Sequence, residues 1–372
     1  MTILSMTPDE LRTRNTLKWR HYADDVLPLW VAEMDAPVLP AVRDAVDAAL
    51  GRGETGYPYG RGYAEAFGGF AAAHWGWQIG DEQIVQASDV MSNIWAVLAT
   101  TTKPGDAVLI NPPVYAPFRD VIAHSDRRVL EVPLTPAGLL DLPAIEAALT
   151  GPSKPKAYLL CSPHNPTGTV HTADELSAVA RLCDERRVTL VVDEIHACLV
   201  DPGTDFTPIL TLPDAQRAIV CTSAGKAWNL AGFKAGLIVG GADTSEVLAA
   251  LPPVEGGLLA GVAHTAAIRE APSWPEDVMA EVRAHKRLLR DLLSLYLPRA
   301  VYQPAEGTYL AWVDCSGLGY DDPAARFLQA GKVALSPGAE FGAGFGQWVR
   351  INLAASPVII TEAVRGMAAA CR

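Results

Sequence analysis

The chain has 372 residues, 49% hydrophobic and only 19% charged, which is enough apolar material for a large buried core and a length that suggests about two domains. Its 30 basic and 42 acidic residues give a formal charge of −12 with no Lys/Arg cluster, which argues against a nucleic-acid partner. No apolar run approaches the ~18 residues that span a bilayer, and Met1–Thr7 lacks the basic and apolar segments of a secretory leader, so the expectation is a cytoplasmic protein with no membrane contact.

Taken in chain order, short apolar runs at Ala107–Ile110, Ala157–Leu160, Thr189–Val192, Ala218–Cys221 and Ala235–Val239 are too continuously apolar for half-exposed strands. They predict a sheet covered on both faces. Between the second and third lies Thr172-Ala-Asp-Glu175, a capping box that opens a helix running to about Arg186. This alternation predicts an α/β doubly wound, mostly parallel domain, whose ligands gather at the carboxyl ends of the strands. Leu251–Gly257 is a cluster of chain breakers. Beyond it, Pro275 to Leu297 carries apolar residues at helical spacing, as in a helix that bridges to a second domain. Short strands around Tyr309–Trp312 and Trp348–Ile351 predict a smaller α+β unit, and the glycine-rich Gly342–Gly346 reads as a turn. Six scattered cysteines (Cys161, Cys183, Cys198, Cys221, Cys315, Cys371) form no Cys-x-x-Cys; Cys161, Cys198 and Cys221 lie in or beside apolar runs and read as buried thiols of a reducing compartment.

Three polar elements follow strand ends in an informative order: Asn165-Pro-Thr-Gly168, Asp193-Glu-Ile-His196, and Thr222 through Lys226 to Lys234. Singly, each is an ordinary turn, cap or loop. Together they are the parts that hold pyridoxal phosphate. Its aldehyde needs a lysine, here Lys226, and its ring nitrogen must stay protonated to draw off electrons, which a buried Asp193 favours. The phosphate needs donors and a cation, for which Ser223 and Lys234 are placed.

With these residues the chain resembles the fold-type I pyridoxal-phosphate enzymes, in the class I/II aminotransferase-like group, and most narrowly the bacterial cystathionine β-lyases. The likeness rests on Leu27–Asp35, Gly56–Pro58, Asn111–Phe118, Glu306–Trp312, Ser336–Gly338 and Val349–Ala354 besides the motifs above. It implies a large cofactor-binding domain over 38–270 and a small domain made of 1–37 and 271–372. It also implies that Lys226 carries the cofactor and then moves the α-proton, that Asp193 pairs with the ring nitrogen, and that Asn165 bonds the ring hydroxyl. Tyr115 stacks on the ring, His196 lies near its hydroxyl, Arg350 binds the substrate α-carboxylate, and the amides of Val90 and Met91 open a helix aimed at the phosphate. Tyr57 reaches the phosphate of a neighbouring subunit, so the implied assembly is a homodimer with shared active sites.

The chain departs from the pattern at two places. Asp89 stands where relatives often have glycine and would repel a phosphate unless it turns to cap the helix. Where Asp-Met-Asp-Phe is usual, Glu33-Met-Asp-Ala36 lacks the aromatic, which is expected to widen the substrate entrance. The resemblance implies β-elimination from L-cystathionine or related cysteine S-conjugates, giving a thiol, pyruvate and ammonia. An aminotransferase shares the cofactor and most of the steps, and a regulatory protein that keeps the cofactor site is a third reading.

Overall fold

The computed structural model describes residues 2–372. After a two-residue strand β1 (Leu27–Pro28), seven strands follow in sequence: β2 (Ile84–Ala87), β3 (Ala107–Ile110), β4 (Arg128–Glu131), β5 (Ala157–Cys161), β6 (Thr189–Asp193), β7 (Ile219–Thr222) and β8 (Gly236–Gly240). They form one sheet in the order β2-β8-β7-β6-β5-β3-β4. All pairs are parallel except those of β8, which runs against both its neighbours. The carboxyl ends of the other strands therefore point to one edge, and the α/β expectation holds. Two predicted strands began one residue early, and β2 and β4 carried no apolar run long enough to announce them.

Successive residues of each strand bury on opposite faces. Val108, Ile110, Leu159, Val191 and Ile219 pack with Ile94, Val97 and Leu98 of the helix Val90–Thr101, whereas Leu109, Leu160, Val192 and Val220 join the larger core on the other face. Burial of such a side chain is worth about 1.5–3 kcal/mol, and the two-period alternation is what a doubly covered sheet requires. Asp193 closes β6 two residues after Val191. Its register neighbours are Cys161 on β5 and Cys221 on β7, so a carboxyl stands in a row between two thiols.

A further sheet joins β9 (Leu310–Asp314), β11 (Ser336–Pro337) and β12 (Trp348–Asn352), while β10 (Val333–Ala334) pairs with β1. Leu11, Trp19 and Leu29 pack here with Val313, Val349, Ile351 and Met367 in a separate cluster. The helix Trp274–Tyr296 serves both, burying Val278, Met279 and Val282 in the main core and Leu289 and Leu293 in this one. The capping box at Thr172 forms as expected and opens the helix Ala173–Arg186.

Between β1 and the helix Pro40–Gly51, residues 30–35 cross the carboxyl edge of the sheet as a strap without regular structure. Their backbone polar groups are met by side chains from distant parts of the chain. Asn352 donates to the carbonyls of Val31 (2.8 Å) and Glu33 (2.7 Å), and Ser336 donates to that of Trp30 (2.6 Å). Lys18 and Asp35, both fully buried, pair at 2.8 Å, and Trp19 donates its indole N–H to the same carboxylate. Ala36, the residue expected to widen the substrate entrance, is instead buried in the main core; its backbone oxygen accepts from Arg14, so its small size bears on packing rather than access.

Candidate active site

One cavity at the strand ends is lined by Lys226, Asp193, Asn165, His196, Tyr115, Ser223, Lys234, Val90, Met91 and Arg350. These residues arrive from separate strand ends. Asp193 terminates β6, Ser223 follows β7 directly, Asn165 lies four residues beyond β5, and Val90 starts a helix just after β2. Tyr57 is the exception, standing 91% exposed outside the cavity of its own chain.

Lys226 sits in a loop between β7 and β8 and donates its Nζ to the carbonyl of Ala32 at 2.7 Å. Burial, helped by the nearby Arg350 guanidinium, brings its amine down to about 8. At that value an appreciable fraction is a neutral amine near pH 7–8, the form that attacks an aldehyde or accepts a proton. Burial acts oppositely on Asp193, raising it to about 7, although the N–H of Ile195 donates to Oδ1 at 3.0 Å and Lys226 opposes the rise. A carboxyl in such surroundings gains its charge when a cation is brought against it. The adjacent Glu194 faces elsewhere, accepting from the Ile209 amide at 2.8 Å, with burial pushing it up to about 8.

Arg350 projects from β12 and is buried. Nη1 donates to Asn165 Oδ1 at 3.1 Å, while Nη2 reaches the Trp30 carbonyl at 2.9 Å and Ser336 Oγ at 3.1 Å. The guanidinium also lies 5.0 Å from the ring centre of Phe341, and its Nε has no protein partner. Its orientation is thus fixed on one side, leaving hydrogen-bonding capacity unused. His196 is buried and held down to about 3 by burial, with the cations Lys226 and Arg350 adding to the effect; it is a neutral imidazole whose Nδ1 is unpartnered. Burial likewise raises the Tyr115 phenol.

At the end of the cavity expected to take the phosphate, the structure modifies two expectations. Asp89 does turn to cap its helix, accepting from the amides of Met91 (3.0 Å) and Ser92 (3.1 Å). The Met91 amide, expected to face a phosphate, is therefore already engaged, because an acidic N-cap satisfies the same N–H groups an anion would. Ser223, expected to donate to the phosphate, donates to the Ala235 carbonyl at 2.6 Å and accepts from the Gly225 amide. Lys234 remains a largely exposed cation, 3.7 Å from Asp89.

The residues fit pyridoxal phosphate. An amine lowered by burial, a carboxyl raised by it, a neutral imidazole with a spare nitrogen and a lysine at the cavity rim meet the four demands of an aldehyde, a ring nitrogen, a ring hydroxyl and a phosphate. Val31 and Ala32 of the strap, and Phe233 and Ile195 on the cavity wall, lie within the sequence motifs, which assign them no role. Ile195 and Phe233 adjoin predicted site residues and could have been inferred by adjacency. Nothing in the composition of Val31-Ala32 marks it.

Known proteins are similar to this chain in sequence and fold. The pattern described as aminotransferase class I and II matches residues 24–366. A Mycobacterium leprae protein named "Putative cystathionine beta-lyase" is 43% identical over 97% of this chain and 96% of its own length. The cystathionine beta-lyase PatB of Bacillus subtilis is 30% identical, covering 93% of this chain and 92% of that protein. Among solved structures, cystalysin from Treponema denticola, which contains a pyridoxal 5'-phosphate cofactor, superposes with a TM-score of 0.90 at 26% identity, over 98% of this chain and 97% of the other.

Proposed function

Since the chain belongs to the class I and II aminotransferase family and uses pyridoxal phosphate, we propose that it is a carbon–sulfur β-lyase, cleaving L-cystathionine or a related cysteine S-conjugate. The observation that carries this reading is a cavity with one arginine, Arg350, beside Lys226 and Asp193. That guanidinium suits the α-carboxylate at the reacting end of an amino-acid substrate, the arrangement β-elimination needs beside the proton-transferring lysine. The lyase names of the relatives favour the same outcome.

Bound in the cavity, pyridoxal phosphate supplies an aldehyde for the substrate amine and a ring that takes up the electron pair left by the α-proton. Asp193 is proposed to hold the ring nitrogen's proton, Asn165 and His196 to face the ring hydroxyl, and Tyr115 to lie against the ring. Ser223, Lys234 and the amides of Val90 and Met91 would serve the phosphate, which requires Ser223 and Met91 to exchange the partners described above. Arg350, held by Asn165 and Trp30, orients the substrate carboxylate. Lys226, set free by the substrate amine, takes the α-proton on Nζ; the Cβ–S bond then breaks with its electron pair on sulfur. Water hydrolyses the three-carbon remainder to pyruvate and ammonia.

With cystathionine and no keto acid present, pyruvate and free thiol are expected in equal amounts, exceeding transamination by at least about tenfold, a difference of roughly 1.4 kcal/mol between competing transition states. The measurement is product analysis of the purified protein. Rapid conversion of the cofactor to its amine form by glutamate or an aromatic amino acid, with no pyruvate from cystathionine, would establish the aminotransferase instead.

We place Tyr57 at the phosphate of a second copy of the chain, a reading supported by its near-complete exposure. Tyr57→Phe and Lys226→Ala proteins, each impaired alone, should recover activity when mixed and allowed to exchange subunits. One of the two sites in each hybrid then has both residues, so equal mixing should restore about a quarter of the parent activity. No recovery despite demonstrated exchange would remove Tyr57 from a shared site.

A further inference from the structure

Asn229 lies three residues after Lys226, in the same loop, and its side chain closes on the strap at both polar groups of one residue. Its Oδ1 accepts from the Met34 amide at 2.9 Å, and its Nδ2 donates to the Met34 carbonyl at 3.0 Å, across 195 positions of sequence. Its φ of 56° lies in the left-handed region, which asparagine tolerates better than most residues and which aims the amide at the strap. Two residues upstream, the Ala32 carbonyl accepts from Lys226 Nζ at 2.7 Å and from the Tyr309 hydroxyl at 3.2 Å. Two residues further, the Trp30 carbonyl accepts from Arg350. One unstructured strap thus presents an acceptor to the amine and another to the guanidinium.

A segment without ladder hydrogen bonds has no stiffness of its own. Backbone bonds hold it at two places, from the Glu33 amide to the Val31 carbonyl (2.9 Å) and from the Asp35 amide to the Ala354 carbonyl (2.8 Å), and elsewhere its polar groups are aimed by side chains. Asn352 secures Val31 and Glu33 from the side of β12, and Asn229 secures Met34 from the lysine loop itself. The second tie has a property the first lacks, because it makes the strap move with the backbone that carries Lys226.

We infer that Asn229 is a positioning residue, which locks the strap to the lysine loop so that the Ala32 carbonyl stays in place to receive and orient the Lys226 amine whenever that amine is not bonded to the cofactor. The inference rests on Lys226 being the cofactor lysine, as proposed above, and not on which substrate bond is cut. Because the Trp30 carbonyl is held separately by Arg350 and Ser336, losing the tie falls on the handling of the proton more than on the binding of the carboxylate.

The test compares Asn229→Gly with Asn229→Asp in the cofactor-loaded protein. Glycine accepts the positive φ without strain but has neither bond. Aspartate keeps an acceptor for the Met34 amide and loses the donor. Hydrogen exchange at the Met34 amide should quicken at least about tenfold in the glycine variant, as expected for local release of the strap, and less in the aspartate variant. In turnover, kcat should fall at least about tenfold with KM changed by no more than about threefold, with aspartate again intermediate. A glycine variant equal to the parent in exchange and kcat would reduce Asn229 to a residue chosen for its φ alone and overturn the inference. An aspartate variant no better than glycine would do the same. If the glycine protein does not fold, the aspartate protein decides: parental Met34 exchange with parental kcat refutes the tie, and faster exchange together with a lower kcat supports it. The exchange measurement uses no substrate, so it stands even if the β-lyase reading fails.

Discussion

Lys226→Ala is expected to abolish turnover while leaving the protein folded. Loss of a positioned proton-transfer group alone costs about 10²–10⁴-fold, and on the proposed role of Lys226 the covalent anchor of the cofactor would be lost with it. The fold should survive because the substitution orphans no buried partner: the Ala32 carbonyl that received Nζ still accepts from Tyr309 at 3.2 Å. Borohydride reduction of the parent, followed by peptide mapping, should place the reduced adduct on Lys226, and the variant should show none. Adduct on another lysine, or substantial turnover in the variant, would reassign the anchor.

Asp193→Asn should be nearly as damaging, and Glu194→Gln should not, although both carboxyls are buried and adjacent. Removing one partner of a buried charge pair costs about 3–5 kcal/mol, equivalent to roughly two to four decades in rate or affinity. Asparagine at 193 can still accept from the Ile195 amide but cannot hold a protonated ring nitrogen. Glu194, raised by burial to about 8, is mostly uncharged at neutral pH and only accepts from Ile209, which glutamine does equally well. The sign of its pH effect follows. The folded state binds this proton more tightly than the unfolded chain, so the stability Glu194 contributes is complete below 4.5 and is lost as pH rises towards about 8. Glu194→Gln should therefore flatten the decline in unfolding free energy across that interval, measured by denaturant titration at several pH values. Equal turnover for the two variants would show that the wrong carboxyl had been assigned to the ring.

The legible parts of the structure were those written in local chemistry. The run Ala107–Ile110 is a strand residue for residue, and Asp193 and Ser223 mark strand ends because apolar runs stop there. The strands β2 and β4 escaped because they are the edges of the sheet: Ile84-Val-Gln-Ala87 and Arg128-Val-Leu-Glu131 are partly exposed and carry polar residues, as edges do. The strap escaped for a different reason. Its course is set by Asn229, Asn352, Ser336 and Arg350, up to 321 positions away, and no periodicity within residues 30–35 encodes it. Asp89 was legible as an anomaly and its resolution as a cap was foreseeable, but the consequence for the Met91 amide became visible only with the helix in place.

The carboxyl set between two sulfur atoms bears on how the protein survives its own chemistry. Cys161 lines the same cavity as Lys226, so a sulfhydryl waits within the chamber built for an aldehyde, a pair that ordinarily condenses. Only the thiolate is strongly nucleophilic. Burial, reinforced by the neighbouring Asp193, pushes both Cys161 and Cys221 well above the ordinary thiol range, and Cys161 Sγ points its hydrogen at the Pro163 carbonyl. The same dry surroundings that lower the lysine and make it reactive thus silence the sulfur beside it. A single solvent-excluded environment shifts amine and thiol in opposite senses, favouring the neutral, nucleophilic form of the nitrogen and the protonated, weakly nucleophilic form of the sulfur.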